Sequence, residues 1–451
     1  MLRKVNKKAS LLGIGIAAAI GALQSAQAYE AFSTTSPWML GDWGGARTEL
    51  LNDGYKFSAN YVSELGTNAH GGYNNSKKLE YADQFAVGMH LDLQKILGVQ
   101  DAEFQLLLNN RNGQDITGTR LDDPRSGQVG SNMEVVGGGQ IWRLTQMWYR
   151  QKFFDQKLAV KFGRVSPTED FQEFPCDFQD VAFCAAQAGV WASNDWSSYP
   201  ISMWGANFRY SLTPEWLVQA GIYEHNRTNQ EHDNGFKLST SGSNGVILPV
   251  EVVWKPKSAL FGLPGEYRLG AYHMNIDAED VYKDIDGGAF RATGNAPKVE
   301  NGRNGLWFIG RQQVGAFDND SKRPVEVFIQ AHANDKDTSF IDRFYSAGIV
   351  ASGPFASRPQ DQIAFGVARI HVNDRIRDGE KAMNQMSGAT SYDDPAYMPL
   401  QGTQYDIELN YRIQATRSLS IRPNIQYIKN PGAVDEVSNA LVLGVKTEIS
   451  F

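Results

Sequence analysis

The chain reads as all-β, a 16-stranded antiparallel transmembrane β-barrel with inward-folded extracellular loops. Three observations predict it. Runs of about ten residues alternate apolar and polar side chains, the runs number sixteen, and the connections between them are short and long in turn. An even count with short turns on one rim and long loops on the other is the construction of a bacterial outer-membrane barrel.

The chain opens MLRKVNKKASLLGIGIAAAIGALQSAQA, a basic head, an apolar run from Leu11 to Leu23 and a small-residue end at Ala26 to Ala28. An apolar run this short cannot span a bilayer as a helix, so residues 1–28 read as a signal peptide cleaved after Ala28, and the chain as exported. Residues 29–451 carry 39 basic and 50 acidic side chains, or −11. Without a basic cluster, that balance excludes nucleic acid as a partner. After Leu23 no run of eighteen apolar residues occurs, so any crossing of a membrane must use strands.

Residues 29–53 form a periplasmic N-terminal segment, in which GDWGGARTELLNDG (Gly41 to Gly54) places a turn before a short helix from Arg47 to Leu51. Residues 54–451 form the barrel. In the first strand Tyr55, Phe57, Ala59 and Tyr61 oppose Lys56, Ser58, Asn60 and Glu64. In Tyr81 to Leu93, Phe85, Val87, Met89 and Leu91 oppose Gln84, His90 and Asp92. In EFQLLLNNR, Phe104, Leu106 and Leu108 oppose Gln105, Asn109 and Arg111. A hairpin, LTQMWYRQKFFDQKLAVKFGR, turns at Asp155 to Lys157. Further strands fall near 199–211, 215–226, 246–255, 265–274, 304–314, 325–333, 341–352, 361–373, 401–414, 418–430 and 440–451. The long connections are 113–140, 166–198, 227–245, 275–303 and 374–400.

The connection from Ser166 to Tyr199 has no period, is dense in aromatic and acidic residues, and holds both cysteines. Loops of this length are usually functional. In an exported chain Cys176 and Cys184 suit one disulfide, worth about 2–3 kcal/mol for so small a loop; two unpaired core thiols are the alternative. A secreted sandwich or propeller competes with the barrel, but no forty-residue repeat is found. The last strands keep Tyr405, Ile407, Leu409 and Tyr411 opposite Asp406, Glu408, Asn410 and Arg412, and the chain ends on Phe451. Lipid offers no hydrogen bonds, so such a sheet must close, and sixteen strands leave an aqueous lumen lined by the polar rows.

GDWGGARTEL, DQFAVGMHLDLQKILG, LLLNNRNGQD, QKFFDQKLAVKFGR, the Phe-rich Cys loop, YPISMWGANFRY and the ending IQYIKNPG…ALVLGVKTEISF together resemble the carbohydrate-selective porins of the OprB type. The resemblance covers nearly the whole chain beyond residue 28, although loops 227–245 and 275–303 are not matched to the family's pattern. It implies an outer-membrane barrel passing glucose and other sugars through a pore narrowed by inward loops, with no cofactor. Partners would be small-molecule sugars, outer-membrane lipid and lipopolysaccharide, with room for a homo-oligomer.

Selectivity for a sugar needs donors, acceptors and an apolar plate: Arg supplies a donor fork, carboxylates and amides accept, and an aromatic ring meets the sugar's C–H face. Facing and position single out Glu64, Asn109, Arg111, Trp148, Arg150 and Lys161 on the first five strands, and Asn207 and Arg209 on the sixth. Met147 and Tyr149 compete with Trp148 and Arg150 for the lipid side. Arg164 breaks alternation, so placing it inside requires a bulge, supported only by the resemblance. The Cys loop adds Asp170, Trp191 and Trp196. Each has a plainer reading. An inward Arg or Lys is commonly a solvated wall residue paired with a carboxylate, and the tryptophans equally suit loop core or an interface belt.

No HExxH, GxSxG or GxxxxGK[ST] pattern occurs, which leaves an enzyme only as a remote lipid-facing hydrolase. A non-selective porin and a carbohydrate-binding barrel that conducts poorly remain as alternatives.

Overall fold

The computed structural model describes residues 29–185, 192–193 and 196–451, so the expected signal peptide lies outside the described residues. The strands are β1 (Tyr55–His70), β2 (Leu79–Asp92), β3 (Ala102–Gly113), β4 (Trp142–Phe153), β5 (Leu158–Val165), β6 (Met203–Ser211), β7 (Trp216–His225) and β8 (Gly245–Trp254). They continue as β9 (Gly265–Asp284), β10 (Pro297–Ala316), β11 (Pro324–Asn334), β12 (Ile341–Ser352), β13 (Gln362–Val372), β14 (Thr403–Thr416), β15 (Leu419–Lys429) and β16 (Ala440–Ser450). Each pairs antiparallel with its chain neighbours, and β1 pairs with β16, which closes the barrel.

Alternation sets what each face meets. Val250, Leu269, Leu306, Phe365, Leu409 and Leu443 point outward and are exposed, whereas Glu251, Arg268, Glu408, Arg422, Gln426 and Lys446 point inward and are buried. A soluble sandwich would show the reverse. The outer surface is therefore suited to lipid, where only a closed sheet satisfies its backbone.

One rim has tight turns at 154–157, 212–215 and 417–418, and the other carries 114–141, 166–202, 226–244 and 373–402. The N-terminal segment folds onto the short-turn rim: the Met39 amide donates to Ser450 O at 2.8 Å and that of Arg417 to Thr34 O at 3.1 Å. Its helix spans Ala46–Asn52, and the Arg47 guanidinium lies 4.2 Å from the centre of the Trp38 ring.

Three sequence expectations need correction. The stretch 275–303 is mostly strand, because β9 and β10 run on as a hairpin joined by only 285–296. Here the pattern inverts: Tyr272, Met274, Ile276 and Ala278 are buried inward, while Asn275, Asp277 and Glu279 are exposed outward. Beyond the membrane the outer face meets water and the inner face packs under loops, so the rule of apolar outside and polar inside no longer holds. Likewise β1 extends past Glu64 to His70, and β6 begins at Met203, leaving Tyr199 and Pro200 in the loop.

Leu409 is 47% exposed in the apolar outer band. Leu409→Arg should therefore cost about 2–4 kcal/mol in reversible urea unfolding from lipid vesicles, while Leu409→Phe should stay near the parent.

Candidate functional site

The site is built by the loop between β5 and β6, which enters the barrel instead of standing above it. Ser166 starts the inward turn: its Oγ caps the single helical turn Pro167–Glu169, and the Glu169 side chain accepts from the Ser166 amide at 3.2 Å. The loop is then fastened to one wall. Asp170 pairs with Lys161 on β5 and accepts from the Tyr223 hydroxyl on β7 at 2.6 Å; the Gln172 amide donates to Glu251 on β8 at 3.2 Å, and Glu173 pairs with Arg268 on β9.

Cys176 and Cys184 are disulfide-bonded, which settles the thiol alternative. Across that bridge the chain reaches the opposite wall. The amides of Gln179 and Asp180 donate to the Glu408 carboxylate at 3.0 and 2.8 Å, Asn410 Nδ2 donates to Asp177 O at 3.0 Å, and Lys446 Nζ donates to Phe178 O at 3.3 Å. Asn424 on β15 also donates to Gln179 at 2.7 Å, and β7 and β15 are eight strands apart in a ring of sixteen, so this one segment spans the barrel interior. It returns to a third wall at Ser193, whose carbonyl accepts from Arg303 at 2.9 Å.

The loop 114–141 fills a second sector. Glu64 accepts from the Val135 amide at 3.1 Å and lies 3.6 Å from Lys446, which also pairs with Glu134. Arg111 donates to Gln84 at 2.8 Å and to Val136 O at 2.7 Å, its guanidinium 5.6 Å from the Tyr199 ring centre, and Asn109 donates to the Tyr199 hydroxyl at 2.9 Å.

Among the described residues, two spaces flank the stretch of this loop around Phe174. One, of about 430 Å³, is bounded by Arg111, Glu134, Glu169, Phe174, Trp196 and Tyr199. The other, of about 330 Å³, opens toward the short-turn rim between Glu173, Phe174, Lys255, Glu266, Arg268 and Arg311. Phe174 lines both. Beside it Arg209 and Arg268 pair with Glu173, and Arg311 pairs with Glu326; Arg150, on β4 and also turned into the barrel, pairs with Glu103. The Arg311 guanidinium stands 5.7 Å from the Phe174 ring centre. This arrangement offers donor forks, acceptors and an apolar plate within one passage.

The residues singled out from the sequence divide by role. Arg150 and Arg209 stay about one-third exposed at their side chains, and Arg111 lines the larger space. Trp148 and Arg150 do face inward, as their pairing with Gly163 and Lys161 across β5 shows. Lys161 stands 5.3 Å from the Trp148 ring centre, and Asn207 donates to Gln219 at 3.3 Å. Glu64, Asn109, Lys161 and Asp170 mainly hold the loops. Trp196 is 1% exposed and packs edge-on against Tyr272 and Trp307, so it belongs to the packing under the loops; Trp191 lies outside the described residues.

Arg164 is a correction. No bulge precedes the loop: β5 pairs with β4 and β6 without a register shift, so Arg164 stays in the row of Phe162, opposite Lys161. It is buried at the rim nonetheless, donating to Ser202 O at 2.6 Å with Glu224 at 4.0 Å. Glu173, Phe174, Arg268 and Arg311 were not singled out. Their acidic loop and inward rows were legible, but which loop carboxylate meets which wall cation depends on how the loop crosses.

A second buried feature lies where the loop 114–141 meets β14. Asp122 sits near Asp115 and Asp406; burial, then the charges of Asp115 and Asp406, hold its carboxyl well above the usual range, offset in part by the Gly432 amide. Burial also raises Asp115.

A closed barrel with an apolar exterior, polar inner rows and a loop fixed across its interior has the build of a channel protein of the bacterial outer membrane. Residues 76–451 match the description "Carbohydrate-selective porin, OprB family". The chain is 48% identical to Porin B of Pseudomonas aeruginosa over 441 residues, 97% of each chain. Its fold superposes on a high-pH structure of Pseudomonas putida OprB with a TM-score of 0.91 at 50% identity, covering 94% of this chain and 100% of that one. The chain belongs to the OprB family of carbohydrate-selective porins.

An acid with a raised folded value keeps its proton longer when folded. Its contribution to stability is complete below about pH 4, the unfolded range, and is lost as the pH rises through the folded value. Asp122→Asn should therefore raise the thermal midpoint of the detergent-solubilised protein more at pH 9 than at pH 5. Equal effects at both would show that Asp122 is ionised in the fold.

Proposed function

We propose that the chain passes glucose and related monosaccharides down their gradient, after export with cleavage at Ala28. The observation that carries this reading is the half-buried Phe174 ring, with the Arg311 guanidinium 5.7 Å from its centre and the neighbouring Glu173 paired with Arg209 and Arg268. A monosaccharide presents hydroxyls at its edge and C–H groups on its faces, and this passage offers a partner to each. The charges of both signs favour a neutral polar solute over an ion of either sign. Arg111 at the larger space, Arg268 and Arg311 at the smaller, and the inward, part-exposed Arg150 and Arg209 on the wall make a series of weak contacts, as conduction requires.

The test is block of single-channel conductance by glucose. Replacing both Arg150 and Arg209 with Ala should raise the half-blocking concentration by about tenfold, since one charge-assisted hydrogen bond is worth roughly 1.5–3 kcal/mol when fully formed. Asn207→Ala should change it less. Liposomes carrying the protein should swell faster in glucose than in size-matched amino acids; equal rates would establish the general porin instead.

A further inference from the structure

We propose that the outer face of β12 to β15 is a binding site for the phosphate of a phosphorylated glycolipid in the outer leaflet. Tyr345, Arg369, Tyr405 and Lys429 are successive partners in one row across these four strands. The row lies outward, on the face opposite the buried Ser346, Ala368, Asp406 and Ile428. Toward the short-turn rim the next two outward rows are Ala347, Val367, Ile407 and Tyr427, then Ile349, Phe365, Leu409 and Ile425. They contain no charge. The row above contains Arg343 and His371. The Tyr-Arg-Tyr-Lys row thus stands where the apolar band ends on the long-loop side, at the depth of lipid head groups.

The cations there are available. Arg343 is occupied by Asp342 at 3.2 Å and Asp374 at 3.8 Å. Arg369, by contrast, has no hydrogen bond or ion pair among the described residues, and Lys429 meets only the Tyr405 ring, 5.5 Å from its centre. Elsewhere on the described strands the outward Lys and Arg are Arg164, which is buried, and Lys283 near the tip of the β9–β10 hairpin. The outward cations at head-group depth therefore gather on adjacent strands. A lipid-facing Arg without a carboxylate is costly unless an anion meets it, and two tyrosines beside it supply further donors. A lipid phosphate complements the patch in charge, and a fork from Arg369 with a point charge from Lys429 suits its oxygens.

The inference is independent of the sugar reading, because none of these side chains faces the lumen. The test is native mass spectrometry of the full chain in detergent, titrated with diphosphorylated lipid A, its phosphate-free counterpart, and inorganic phosphate. We expect the diphosphorylated lipid to be retained and the phosphate-free lipid not. The double variant Arg369→Gln, Lys429→Gln should lose about thirtyfold in retention, from two basic groups at an anionic surface. Arg369→Lys with Lys429→Arg should largely keep it, and Lys298→Gln should change nothing. Equal retention of the two lipids, competition by inorganic phosphate at equimolar concentration, or unaltered retention in the double Gln variant would overturn the proposal. Glucose block should persist in the double variant, which separates its outcome from that of the sugar reading and shows the barrel is folded.

Discussion

Lipid cannot accept or donate a hydrogen bond, and nearly every feature of this chain derives from that. The sheet must close, so β1 meets β16, and every strand must present an apolar row to the outside. Polar side chains then have only one direction to go. Glu251, Arg268, Glu408, Arg422 and Lys446 are all turned into the cylinder, where a second demand arises, since buried charges need partners. The loop between β5 and β6 supplies many of them. It brings two backbone amides to Glu408, a carbonyl to Lys446 and a carboxylate to Arg268. The polar rows therefore look partly onto protein and only partly onto water, which is how a wide barrel becomes a narrow channel.

This division of labour explains why so many inward residues anchor and so few are open to a solute. Asp170 could have been a free acceptor in the pore; instead it joins Lys161 to Tyr223 and sets where the loop leaves the wall. Once that point is fixed, Glu173 and Phe174 fall three and four residues later, among the wall arginines. The positioning groups and the groups facing the passage are thus consecutive on one segment.

How much of this was legible depends on what each residue faces. The alternation of YDIELNYRI identified β14 and its two faces because one side meets lipid and the other the interior. The same reasoning failed for residues 275–284 and 297–303, where the strand continues beyond the membrane and the polarity of its faces reverses. A period-two pattern was present there, in Met274, Ile276 and Ala278, but it was read against the wrong surroundings. Arg164 failed for a related reason: the rim is covered by protein on its outer side, so an outward charge can be buried without a bulge. Trp196 was visible as a loop aromatic, yet only the fold places it against Tyr272 and Trp307.

The pairing of the passage arginines has a consequence for permeation. Arg150, Arg209, Arg268 and Arg311 each already hold a carboxylate, so a sugar hydroxyl that approaches them exchanges one partner for another instead of filling an empty site. The net gain is small, because the ion pair is loosened as the new bond forms. A bare Arg would bind an anion tightly and retain it, while a passage without charges would offer a dehydrated sugar nothing in return for its lost water. Paired charges of both signs lie between these limits. They compensate the hydroxyls as they pass and hold none of them, and the Phe174 ring, which cannot hydrogen-bond, takes the sugar's apolar face without adding to the grip.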